Sequence, residues 1–158
     1  MDIAAEIRAA LAGEWLPHLY KEKIRAQRTR SIQIDVAERE NQAEIQYTLL
    51  GIELKVARRR FACPDLATAR YMRVFARIGC QNFAIPYDIT KISAAADELE
   101  ISWQRSILLL DEKTRARQSR SISLARSKLI KAIRVEINEI GAGDAMPQFD
   151  RETKQRKE

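Results

Sequence analysis

A chain of 158 residues, 46% of them apolar, has the size and composition of one folded domain rather than of a disordered polymer. Its net charge of +6 sets aside cationic ligands and favours nucleic acid or an acidic protein surface as partner. Cys63 and Cys80 form no Cys-x-x-Cys pair and His18 is the lone histidine, so no disulfide framework, zinc site or other cofactor is expected.

The first predicted element is a helix over 2–12, with Ile3, Ile7, Ala10 and Leu11 on one face and Asp2 as N-cap. Asp2 and Glu6 also stand where a signal sequence would be basic and then apolar. No apolar run reaches the roughly 18 residues of a bilayer span, so a cytoplasmic chain without membrane contact is expected. Pro17 opens a second helix to about Ala26, whose end is rich in lysine and arginine, as its dipole favours. Ile32, Ile34 and Val36 then alternate with polar residues as a strand. After a polar turn at 39–42 the alternation resumes at Ile45, Tyr47 and Leu49, and its parity flips at Leu50, Ile52, Leu54 and Val56. Gly51 must therefore mark a bulge or a tight turn. Phe61, Ala62 and Cys63 form a last short strand of this group.

Pro64 and Asp65 open a helix to Ile78, where Gly79 stops it; Tyr71, Val74, Phe75 and Ile78 are its apolar stripe. Phe83, Ile85 and Tyr87 alternate as a further strand. Ile92, Ala96, Leu99, Trp103, Ile107 and Leu110 define one long helix, and Ile122, Ala125, Leu129, Ile133, Ile137 and Ile140 a second. The arrangement expected is a single α+β domain over 1–140. It comprises helices in 1–28, a small mostly antiparallel or mixed sheet of three to four strands with one helix in 31–87, and a long-helix hairpin in 90–140. One continuous helix through 90–140 is the alternative, and 141–158 reads as a mobile tail with a docking-like segment at 145–149.

Between residues 113 and 135 there are eight lysines and arginines and no acid. Arg58, Arg59 and Arg60 form a second basic group, and Arg70, Arg73 and Arg77, spaced by three and four, a stripe on the 65–78 helix. Guanidinium forks match phosphate oxygens bidentately, and such contacts position a nucleic acid without reading its sequence. The leading expectation is a non-catalytic protein that engages nucleic acid through Arg58, Arg59, Arg60, Arg70, Arg73, Arg77, Lys113, Arg115, Arg117 and Arg120. Aromatic residues are only 6% of the chain and absent from 113–120, which argues against base stacking. Docking of an acidic protein by the same cations is the first alternative, and phosphorylation of Ser119, Ser121 or Ser123 would partly cancel that field.

A second alternative is catalytic. Glu6 falls on the first helix, Asp35 on a strand, and Glu53-Leu54-Lys55 supplies an E-x-K whose polar side chains share one strand face. This order of elements resembles the PD-(D/E)xK nuclease family, which implies acids holding a divalent cation and a lysine positioning the attacking water. Plain alternation on an exposed strand accounts for Glu53 and Lys55 equally well. No glycine-rich phosphate loop or nucleophile motif is present, and Trp15 and Trp103 belong to apolar stripes.

Overall fold

Asp2 caps the first helix as its position requires, its carboxylate accepting the Ala5 N–H at 2.8 Å, and α1 runs Ile3–Leu11. The computed structural model describes residues 2–143; the remainder of the expected tail, with its 145–149 segment, lies outside the described residues. Pro17 sits in the first turn of α2 (Leu16–Leu19). The helix continues through a wide turn over Tyr20–Ile24, where the Arg25 N–H reaches back five residues to the Tyr20 carbonyl at 2.9 Å.

Five strands, against the three to four expected, follow the order read from the sequence: β1 (Thr29–Gln33), β2 (Ala43–Thr48), β3 (Gly51–Val56), β4 (Arg59–Cys63) and β5 (Asn82–Pro86), with α3 (Leu66–Ile78) before the last. All pairings are antiparallel, but the single sheet of the sequence reading resolves into two: β2-β3-β4, and β1 with β5. Ile34 and Val36, read as strand, lie just beyond β1 and are still buried. The parity flip is a turn: Thr48 pairs with Gly51 across Leu49 and Leu50, and Gly51 takes φ +128°. Ala43, Leu54, Val56 and Cys63 are buried from the sheet, whereas Glu44, Lys55 and Arg60 stand in register on its opposite face.

Asp65 caps α3 through the Thr68 N–H at 2.7 Å, and Gly79 ends it at φ +87°. A Cβ at Gly79 would meet the Arg39 carbonyl at 2.4 Å, so glycine is required here both for the turn and for the approach of the 37–41 segment. Arg134 donates to the Ile78 carbonyl at 3.0 Å, satisfying a terminal acceptor of the same helix.

Two helices of 22 residues, α4 (Ile92–Lys113) and α5 (Ser119–Ile140), complete the described chain, separated by a break at 114–118. Glu100 on α4 and Arg134 on α5 both reach the C-terminal end of α3, and they stand seventeen residues either side of Arg117, as an antiparallel hairpin demands. α1 packs against both arms. The continuous-helix alternative does not occur.

Tyr20, Tyr71, Phe75 and Phe83 form the aromatic centre of the core, with Phe75 and Phe83 stacked at 4.3 Å and Tyr20 edge-on to Phe75 at 5.6 Å. The two buried hydroxyls have definite work. Ala84 lies on the side of β5 turned away from β1; its N–H donates to Tyr20 Oη at 2.8 Å and its carbonyl accepts from Tyr71 Oη at 2.6 Å. Tyr20 Oη in turn donates to the Gly141 carbonyl at 2.8 Å, pinning the end of α5 to the core.

Two exposed alanines have positive φ, Ala57 at 54° in the turn after β3 and Ala12. Ala12, which ends α1, has φ 48° and ψ −114°, a region that glycine occupies freely and a Cβ disfavours. Ala12→Gly is expected to raise the unfolding free energy by about 1 kcal/mol, read from urea denaturation; a loss of stability instead would show that the backbone there is unstrained.

Candidate nucleic-acid interface

Half of the ten cations expected to bind a ligand are occupied within the protein. Arg70, Arg73 and Arg77 face α4, where Glu100 accepts all three guanidiniums: Arg73 at 3.1 Å, Arg70 at 3.5 Å and Arg77 at 3.9 Å. Asp97, one turn earlier, holds Arg70 closely as well and raises its pKa. Burial, followed by the neighbouring Arg73 charge, lowers the pKa of Arg77. Arg59 pairs with Asp35 at 2.7 Å, and Arg60 lies 3.7 Å from Glu53. The α3 stripe is thus a helix–helix seam.

The acidic complement was visible in the chain: Asp97 and Glu100, three apart on one helix, match arginines three and four apart on another. Nothing local in the sequence, however, states that α3 lies against α4.

The other five remain exposed: Arg58 in the β3–β4 turn, Lys113 at the end of α4, Arg115 and Arg117 in the connection, and Arg120 at the start of α5. No ion pair engages any of them among the described residues. Arg58 sits on the sheet, whereas the other four share the hairpin bend.

Sequence reasoning about site residues passed over Lys128 and Lys131, which join the bend cations. At 3.6 residues per turn, Arg120, Leu124, Lys128 and Lys131 fall within roughly 80° of arc on α5, and all four are exposed. Arg120 and Lys131 are about 16 Å apart along the helix axis. The remaining two cations of the acid-free stretch are used internally. Arg126 grips Glu40 through Nε at 2.7 Å and a terminal nitrogen at 2.6 Å, which raises its pKa, and Arg134 caps α3.

The six exposed cations Lys113, Arg115, Arg117, Arg120, Lys128 and Lys131 therefore define one basic ridge along the bend and outer face of α5. Arg117, Ser121, Leu124 and Lys128 also line a cleft of about 280 Å³ against the start of α1, which contributes Asp2 and Glu6. The two carboxylates moderate the field on that flank only. No aromatic residue lies between 113 and 135. The exposed Tyr87 ring is covered by the Arg28 guanidinium at 4.2 Å.

The residues of the nuclease alternative are not gathered. Glu6 lies in the α1–α5 cleft, Asp35 is paired with Arg59, and Glu53 and Lys55 occupy the polar face of β3. Among the described residues no three histidine, cysteine, aspartate or glutamate side chains group closely enough to share a metal ion. A larger cleft of about 750 Å³ borders Arg8, Trp15, His18, Lys21 and Glu136. Of its two carboxylates, Glu136 and Glu139, the first is already engaged: Glu136 accepts from Trp15 Nε1 at 3.1 Å and pairs with Arg8 at 3.5 Å.

No described helix is long and apolar enough to cross a membrane. No protein family, curated protein or solved structure matches the chain.

Proposed function

We propose that this protein binds the phosphate backbone of nucleic acid through the basic ridge of its α4–α5 hairpin, without catalysing a reaction on it. The observation that supports this reading is that six cations, Lys113, Arg115, Arg117, Arg120, Lys128 and Lys131, stay exposed and unpaired among the described residues while their neighbours are consumed internally. A 16 Å row of positive charge on a rigid helix spans roughly five nucleotides of one strand at 3.4 Å each. Lacking aromatic platforms, the ridge is suited to duplex backbone rather than to unstacked bases.

The test is fluorescence anisotropy with a short duplex. With about four phosphate contacts, affinity falls roughly a hundredfold between about 50 and 200 mM salt. The combined variant Arg115→Ala, Arg117→Ala, Arg120→Ala reduces the salt slope by roughly three contacts and leaves the thermal melt unchanged, since these side chains are exposed. Absence of binding at about 50 mM salt, or a variant that binds like the parent, removes the proposal. Salt-sensitive capture of an acidic protein in place of duplex would transfer the ridge to the docking alternative.

A further inference from the structure

The two least covered large apolar side chains in the described chain sit together at the tip of the β2–β3 hairpin, Leu49 at 105% and Leu50 at 97% exposed, with Tyr47 beside them at 72%. A two-residue turn does not need leucine at either position, and no described residue covers Leu49 or Leu50. Next to the tip runs an open strand edge. Because Thr48 and Gly51 close the turn by pairing, the N–H and C=O groups of β3 are reached by Thr48, Gln46 and Glu44, while those of Ile45 and Tyr47 point outward. Those outward groups have no backbone partner among the described residues.

Two of the other edges carry protection. β4 carries Arg59 and Arg60 and is followed by Pro64, and the Ala84 groups of β5 are satisfied by tyrosine hydroxyls. Among the described residues, β2 is the strand that presents free ladder positions beside uncovered leucine.

From this arrangement we infer that two copies of the chain pair antiparallel along β2, around a twofold axis at Tyr47. The charge pattern selects a second copy over other occupants. Residues 41–52 contain a single charged side chain, Glu44, in a chain that is 32% charged, so no cation is present to recruit an anionic ligand or membrane and no acid cluster to recruit a basic one. The segment is instead complementary to itself. Centring the pair on Tyr47 sets Gln46 opposite Thr48 of the second copy and the two tyrosine rings side by side, and brings Ile45 toward the Leu49 tip of the second copy, with no like charges opposed. Each tip is then covered by the other copy's strand. The interface is small, below roughly 1,200 Å² in total, the size class of weak, transient association.

Sedimentation velocity without nucleic acid, in about 300 mM salt to silence the basic ridge, tests this independently of the proposed function. The mass should rise from 18.2 kDa toward twice that value as the chain is concentrated. Tyr47→Lys, which puts two ammonium groups at the axis, and Leu49→Asp at the tip each weaken association at least tenfold, with thermal melts unchanged because the replaced side chains are exposed. A parent chain still monomeric at roughly 200 μM overturns the inference, and so does a dimer that both variants leave intact.

Discussion

Replacing Glu100 by alanine destabilises the protein by about 3 kcal/mol, the cost of leaving a partly buried set of charges without its counter-ion. The Glu100 side chain is only 17% exposed and lies within 3.9 Å of three guanidiniums, so no single water-exposed pair is at issue. Without it Arg73 and Arg77 stand one turn apart on α3 as uncompensated like charges, and Asp97 reaches Arg70 alone. Glu100 is the one side-chain acceptor of Arg73 among the described residues, so its removal leaves that guanidinium without a carboxylate partner. Urea denaturation of Glu100→Ala, Arg73→Met with Arg77→Met, and the triple variant forms the informative cycle. The triple variant should recover most of the loss, since methionine fills the same groove without charge. A Glu100→Ala cost under about 0.5 kcal/mol would mean that solvent screens the seam and that the α3 arginines are free after all.

That seam also shows where reading the chain succeeds and where it stops. Caps and periodicity are local, and they were legible: Asp2 and Asp65 cap the helices they precede, Gly79 ends α3, and the apolar spacings of α4 and α5 gave both arms and their bend. Gly51 was recognised as punctuation, although its local pattern fitted bulge and turn equally. Sheet membership was not legible, because alternation reports that a strand has a covered face and not which strand lies beside it; β1 joined β5 instead of the β2–β4 meander. The candidate site divided along the same line. Arginines in a connection without apolar residues, such as Arg115 and Arg117, stay at the surface in almost any fold. Arginines spaced along a helix, such as Arg70, Arg73 and Arg77, depend on which helix faces them, and that is decided by tertiary packing alone.

Alkaline pH is expected to unfold this protein well before its lysines explain it, because weak acids are buried in their protonated forms, Cys80, Tyr20 and Tyr71 foremost and Cys63 with them. Burial pushes the Cys80 thiol from an ordinary 9.0 up to about 12 and the Tyr20 phenol from 10.0 up to about 12, and it raises Tyr71 well above 10.0. In each case the neutral form is favoured in the folded state. Below pH 9 both folded and unfolded chains hold these protons, and the stability is fully present. Above it the unfolded chain releases protons that the folded chain keeps, so stability falls with pH, first through Cys80 and from about pH 10 through the two tyrosines as well. At about 1.4 kcal/mol per pH unit for each separated group, the loss through Cys80 and Tyr20 reaches about 4 kcal/mol by about pH 11, a large part of the whole stability of many domains, and Tyr71 adds to it. The tyrosine part carries a structural consequence: Tyr20 Oη links the Ala84 N–H of β5 to the Gly141 carbonyl, so its ionisation removes the donor that holds the end of α5 to the core. Urea midpoints at about pH 7, 9, 10 and 11 should decline steeply over the last three, and Cys80→Ala should flatten the interval between 9 and 10 while leaving the later fall intact. A midpoint constant to about pH 11 would show that these groups reach solvent in the folded state, contrary to the packing of the aromatic core around them.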